Sequence, residues 1–309
     1  MKREARHRIW TAVCGLLVGT AGCGKSPGAP PAAPGAAAGT QGAAAIYASV
    51  HATLGKPLLD AVGEGTQSDP MLVQHAASID ELVEASRQAT CDFGVDFSAG
   101  PATLLPHLAD QRQLARVLKA DAARLLAAGD RDGAAKRTAA IFRMASQIGG
   151  SAQTGIELLV AMAIAELGSR FVQDNPGLAQ AAWKTDIQQA MVDVQHNVLD
   201  RGSDVVKREG EMDAAWLRSA SDANIAAAKE LVRPRNRAER EAAATKLAAF
   251  TTDAARLWNE PQAKSKLAAL EARADAEGIA DLCAKLDTLR EAADRSQASI
   301  EKARIALAK

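Results

Sequence analysis

Beyond residue 43, apolar residues recur at spacings of three and four, and no stretch alternates with period two over the length of a strand. The pattern predicts a nearly all-helical body. A first helix spans about 43–54, with Ile46, Val50 and Leu54 on one face, and Gly55-Lys56-Pro57 breaks it before a short continuation through Leu58, Leu59 and Val62. Asp69-Pro70 reads as an N-cap with proline at the first helical position, and Ser78-Ile79-Asp80-Glu81 as a capping box ahead of Leu82 and Ala85. Residues 91–100 (CDFGVDFSAG) are irregular. A helical hairpin follows, with helices at about 107–128 and 134–148 joined by Gly129-Asp130-Arg131-Asp132-Gly133. The second helix is expected to stop at Gly149-Gly150.

Residues 152–173 form the most apolar helix of the body, interrupted by Glu157, Glu166 and Arg170, and read as a buried central helix. Asn175-Pro176 opens a further segment to about 209, kinked near Lys184-Thr185. More charged, alanine-rich helices follow at roughly 212–231, 236–258 and 261–276. In the last segment Ile279, Leu282, Leu286, Leu289, Ala293, Ser296, Ile300, Ala303 and Leu307 keep a coiled-coil period, but half of that seam is small or polar. Packing along its own chain is the expected use of that seam. Trp183, Trp216 and Trp258 are expected to anchor the core.

The fold class is therefore all-α, an irregular bundle of antiparallel helical hairpins. Its expected organisation is an N-terminal segment 1–22, a Gly/Ala/Pro tether 23–42, a helical domain 43–210 and a C-terminal helical segment 211–309 packing on it. The hairpin at 107–148 resembles the helix–turn–helix unit of tetratricopeptide repeats on Gly129, Asp130 and Ala134. Thr138 stands where that unit carries an aromatic, and no second copy follows. The tether buries nothing, and as a flexible chain its mean reach is about 25 Å.

The N-terminus carries the strongest functional signal. Lys2, Arg3, Arg6 and Arg8 against Glu4 give a net charge of +3, and Ile9–Val18 is a short apolar run. Such a run suits a signal-peptide core, whereas a membrane-spanning helix needs roughly twenty residues. Ala21-Gly22-Cys23 then resembles the lipobox of bacterial lipoproteins, with Thr20 where those signals usually carry leucine. The resemblance implies acylation of Cys23, membrane anchoring through more than one acyl chain, and placement in the cell envelope. Gly24 after the cysteine favours the outer membrane on the same resemblance. Ordinary signal-peptidase cleavage near Ala21 or Gly22 is the runner-up. Gly19–Ser26 (GTAGCGKS) also spells a P-loop, but Pro27, Pro30, Pro31 and Pro34 remove the helix on which phosphate binding depends.

Composition narrows the function. The 37 basic and 37 acidic residues balance, and loss of residues 1–22 leaves a net charge of −3, which excludes a nucleic-acid partner. Aromatics are 3% of the chain, too few for stacking platforms. Asp92-Phe93-Gly94 lacks every other kinase element. His51, His75, His107 and His196 show no metal-ligand spacing. Asp92 and Asp96 read as turn groups rather than a shared cation site, and Glu209, Glu211 and Asp213 as a solvated helix junction. Cys91 and Cys283 form an even pair that is either bridged or two separately buried thiols. No catalytic residue, cofactor or metal is predicted. The reading that results is a membrane-anchored exported lipoprotein acting as a non-catalytic envelope or protein-interaction module, its partners the bilayer at Cys23 and a protein. The alternative is a ligand-binding or hydrolytic enzyme using the Cys91–Phe97 loop.

Overall fold

The computed structural model describes residues 41–65, 68–228, 236–280 and 286–308. Cys23, Cys283, the signal-like segment and most of the tether lie outside them. The described chain is all-α: twelve helices, with three shorter 3-10 or π turns between them. Its β structure is a single two-residue antiparallel pairing of β1 (Gln41–Gly42) with β2 (Cys91–Asp92). The last residues assigned to the tether are thus part of the body. Gly42 takes φ +61°, and a side chain there would strike the Thr90 carbonyl, so glycine is what lets the chain enter at this point.

Helix α1 (Ala43–Glu64) bends at Gly55, as Gly55-Lys56-Pro57 predicts. Helices α2 (Asp69–Gln74) and α3 (Ala76–Ala85) follow. The cap of α2 is Ser68, one residue before the expected Asp69. The capping box expected at Ser78–Glu81 is not formed, because α3 already begins at Ala76 and Ser78 lies inside its first turn. After a 3-10 turn over Phe97–Ala102, α4 (His107–Ala127) and α5 (Arg131–Ser151) make the hairpin. Asp130 caps α5 by accepting from the Gly133 amide at 2.8 Å. Helix α5 ends at Ser151, one residue past the expected Gly149-Gly150, and the bare Gly149 lets the backbone of Asn197 and the Val198 side chain pack directly on it.

The central helix α6 (Gly155–Asp174) starts on a capping box formed by Thr154 and Glu157. Glu209 adds a second carboxylate at that end, accepting from the Gly155 amide at 3.0 Å, where the exposed amide dipoles favour negative charge. Glu209 therefore caps a neighbouring helix instead of sitting in a solvated junction, while Lys207 and Glu211 do pair locally at 3.9 Å. The segment expected to run helically to 209 is divided into a 3-10 turn (Pro176–Gln180), α7 (Lys184–Val194) and a π turn (Gln195–Leu199). Helix α8 (Gly202–Ser219) then runs unbroken through the boundary placed at residue 210, and α9 (Asp222–Ala227) follows it.

Helices α10 (Arg237–Leu257), α11 (Ala263–Glu277) and α12 (Leu286–Ala308) complete the fold. Helix α5 packs on α4, α6 and α7; α12 lies along α6, and α10 along α8. Leu286, Leu289, Ala293, Ser296, Ile300, Ala303 and Leu307 are all buried, so this part of the seam is used within the chain. Each large aliphatic side chain on it contributes about 1.5–3 kcal/mol on burial. Trp258 and Trp216 are core residues, but Trp183 is 37% exposed, with Lys136 and Arg87 over its ring at 4.6 and 5.6 Å.

Helices α8 and α10 approach each other closely. A methyl on Gly202 would fall within the Trp258 indole, and one on Gly210 within the Thr251 side chain. Gly210→Ala is expected to lower stability by about 1–3 kcal/mol through overpacking. Gly63→Ala, a helical site with open space around it, should raise it by about 0.5–1 kcal/mol. Urea unfolding of both variants beside the parent chain measures the difference. Equal stability of the two would contradict the packing described.

Candidate functional site

A cleft of about 710 Å³ opens between α5, the α7–π segment and residues 86–91. Helical spacing puts Arg143, Ser146, Gln147, Gly150 and Ser151 of α5 on its floor. Asp193 and Asn197 form one wall, and Ser86 to Cys91 the other. Gln147 organises this wall. Its amide nitrogen donates to the carbonyls of Ala85 (3.2 Å), Ser86 (3.2 Å) and Gln88 (2.8 Å), and its Oε1 accepts from the Tyr47 hydroxyl at 2.6 Å. One side chain thus ties α1 and the end of α3 to α5. Asn197 Nδ2 donates to Ser146 Oγ at 2.8 Å, and Arg143 pairs with Asp186.

Cys91 is a free, buried thiol at the inner end of the cleft. Burial and the neighbouring Asp92 push its pKa up to about 12, so thiolate is scarce at neutral pH and the sulfur is a poor nucleophile. Burial likewise raises Tyr47 well above the ordinary phenol range. Cys283, the other member of the even pair, lies outside the described residues. Asp92 Oδ1 accepts from the Gly94 amide at 2.8 Å, and Asp96 accepts from the Ser98 amide and hydroxyl at 2.8 and 2.9 Å. Both carboxylates close their own turns, as their spacing predicts. Among the described residues no group of three His, Cys, Asp or Glu side chains is placed to hold a metal.

A second polar pair lies where the other end of the same loop meets α4 and α6. Phe93 stacks on His107 with centroids 4.3 Å apart, and His107 Nε2 is 4.0 Å from Glu157 Oε1. The opposite oxygen, Glu157 Oε2, accepts from the amides of Gln153 and Thr154 and from the Thr154 hydroxyl, each at 2.9 Å. Burial lowers the His107 pKa to about 4 and raises that of Glu157. The two side chains are 13% and 7% exposed. Sequence reading misses this pair because fifty positions separate its members; the only local signal is Thr154-x-x-Glu157. Of the remaining histidines, His51 meets Gln113 Oε1 at 2.7 Å and Asp110 at 3.5 Å.

The cleft thus offers hydroxyls, amides and guanidinium groups and no activated nucleophile, an arrangement that binds polar groups. No family model matches the chain, and neither a curated protein nor a solved structure matches it.

Two measurements probe this arrangement. Gln147→Leu removes the amide that three carbonyls share and leaves the buried Tyr47 hydroxyl without its acceptor, so urea unfolding is expected to show a loss of about 2–4 kcal/mol. Tyr47→Phe, which deletes only one of those bonds, should cost about 1 kcal/mol. Stability should also depend on pH through His107. Its imidazole titrates near 6.5 when unfolded and about 4 when folded, so the unfolded chain binds the extra proton first. That contribution is complete above pH 6.5 and is lost as pH falls toward 4, by about 2–3 kcal/mol. Glu157 acts with the opposite sign, its penalty being relieved as pH falls toward 4.5. Thermal melts of the parent and His107→Gln between pH 7.5 and 5 test this; a parent slope that survives the substitution refutes the assignment.

Proposed function

We propose that this chain is an exported bacterial lipoprotein, held to a membrane by acyl chains on Cys23, whose helical body is a non-catalytic binding module. The observation that carries the proposal is the order of the N-terminal sequence: a basic start, the apolar Ile9–Val18, Ala21-Gly22-Cys23, and a proline tract behind them. No helix among the described residues is long and apolar enough to cross a membrane, and this reading assigns attachment to the cysteine. The tether meets the body where Gln41–Gly42 pairs with Cys91–Asp92, beside the polar cleft. On this reading the cleft is held within a tether's reach of the bilayer. The α4–α5 hairpin, with Gly129-Asp130 at its turn and Ala134 buried at the helix contact, supplies a TPR-like scaffold for a protein partner.

A second reading, that the cleft takes a small polar ligand, is favoured by its volume, which falls in the range of small-molecule sites. A hydrolytic use is disfavoured, because Cys91 is protonated and no histidine lines the cleft.

Intact-mass spectrometry of the membrane-extracted protein tests the first reading. A mature chain beginning at Cys23 with added acyl mass is the expected result, and Cys23→Ala should release the protein from the membrane fraction. A full-length chain starting at Met1 that binds ATP, and loses it on Lys25→Ala, would establish the P-loop reading instead.

A further inference from the structure

Residues 93–106, between β2 and α4, form a loop whose two ends are closed by the Phe93–His107 stack, with 4.3 Å between ring centroids. The loop contains no lysine or arginine, and its carboxylate, Asp96, accepts from the Ser98 amide and hydroxyl. Phe93, Ala102 and Leu105 pack against the core. Gly100, at φ +59°, lies so close to the Trp216 indole of α8 that a side chain there would strike the ring. Thr103 closes a turn by donating to the Gly100 carbonyl at 3.0 Å. The loop is thus fixed from within, yet it leaves hydrocarbon outside. Val95 and Phe97 are partly exposed, and Leu104 is 84% exposed, the highest value for a large hydrophobic side chain among the described residues. One exposed leucine is ordinary. Three apolar side chains held out by a single closed loop call for something to cover them.

The entry point of the chain indicates what covers them. Asp92 pairs with Gln41, so the loop begins where residues 1–40 join the body. With an anchor at Cys23, the segment 23–40 has an expected mean reach of about 25 Å, whereas a folded body of this length is about 45–50 Å across. The surface around Gln41 is therefore kept near the bilayer, and the opposite side is held away from it. A tethered contact also needs little affinity of its own, because a short link gives an effective concentration on the order of millimolar. We propose that the 93–106 loop is a bilayer contact, in which Leu104, together with Phe97 and Val95, enters the boundary between headgroups and acyl chains of the membrane that holds the anchor. With no basic residue in the loop, hydrocarbon makes this contact, not attraction to anionic headgroups. The contact rests on the anchor reading and adds an orientation to it: His107 meets Glu157 in the first turn of α6, so that end of α6 faces the membrane.

The fold supplies a control position. Gly155 lies against Leu289, and Gln173 donates to the Ser299 carbonyl at 3.1 Å, so α12 runs parallel to α6. Ile305, 51% exposed on α12, therefore sits past the far end of α6, a helix of 20 residues and roughly 30 Å. Leu104→Trp and Ile305→Trp are purified from membranes and reconstituted in phosphatidylcholine vesicles, with and without lipid brominated near the headgroup end of its chains. Fluorescence is read against the parent. Side chains buried about 5–10 Å at this boundary touch such bromines, so Leu104→Trp emission should shift to the blue and fall by about half, and Ile305→Trp emission should do neither. Circular dichroism melting checks folding, and Phe97→Trp takes over as the loop reporter if Leu104→Trp does not fold. Absence of quenching in the loop reporter overturns the proposal and leaves the loop as a surface for a protein partner. Equal quenching of Ile305→Trp overturns it as well, because the orientation is lost. Vesicle flotation separates this contact from the anchor. Flotation that Cys23→Ala abolishes, without quenching in the loop, sinks the contact alone. If Cys23→Ala leaves both flotation and loop quenching intact, the anchor falls and the contact stands; a parent that does not float removes both.

Discussion

Close approach of helix backbones is the constraint on which this fold depends. The chain has five phenylalanines, four tryptophans and one tyrosine, too few to fill wide gaps between helices. Alanine and glycine solve the problem by bringing the helix axes together. On α8, Gly202 receives the Trp258 indole and Gly210 the Thr251 side chain, and the α8–α10 pair is the most extensive helix contact among the described residues. On α5, Gly149 admits the Asn197 backbone, which puts the π turn against the floor of the cleft. The cleft thus inherits its shape from a missing Cβ. Dense packing of this kind leaves little tolerance for added volume, because the surrounding backbone has nowhere to yield.

A second layer of order comes from buried polar groups that span elements distant in sequence. Asp121 is fully buried on α4 and is satisfied by Arg124 at 2.6 and 2.9 Å and by Arg137 of α5 at 2.9 Å. Arg137 also reaches Asp80 of α3, so one guanidinium fixes three helices. Removing a single member of such a buried set leaves an uncompensated charge, at a cost of about 3–5 kcal/mol. Helix α3, held at Asp80 by this network, leads directly into residues 86–91, where Gln147 binds the backbone. Charge pairing at one end and amide hydrogen bonds at the other fix the wall of the cleft.

The parts legible in sequence are those governed by local spacing. The 3.6-residue period placed the α4–α5 hairpin and the apolar α6, the heptad seam placed the inward face of α12, and Gly55 placed the bend in α1. The failures share a cause. Ser78 has the letters of a capping box, yet the chain enters helix at Ala76, while the true box at Thr154–Glu157 lies inside a segment dominated by its apolar run. Trp183 looks like a core residue by type; its position at the break before α7 leaves it on the surface between Lys136 and Arg87. The boundary at 210 follows a shift in composition, whereas α8 runs through it because Gly210 and Trp216 on the same helix are both buried. The His107–Glu157 pair arises from tertiary contact between α4 and α6 and has no local period to reveal it.

Under the proposed anchor, Cys23 and Cys91 would divide one functional group between two chemistries. Acylation requires a thiol presented on an extended, accessible segment, and Cys23 lies between small residues and a tract whose prolines prevent helix formation. Cys91 meets the opposite conditions. It is enclosed by β1, α1 and α5, and with its pKa pushed up to about 12 it holds almost no thiolate. Oxidation and exchange both proceed through thiolate. In an oxidising envelope, the compartment that the proposed anchor implies, burial therefore protects a free thiol that would be a liability on the surface. The pairing of Gln41–Gly42 with Cys91–Asp92 holds the backbone at that thiol, so the residues by which the chain enters the body also fix the strand that carries it.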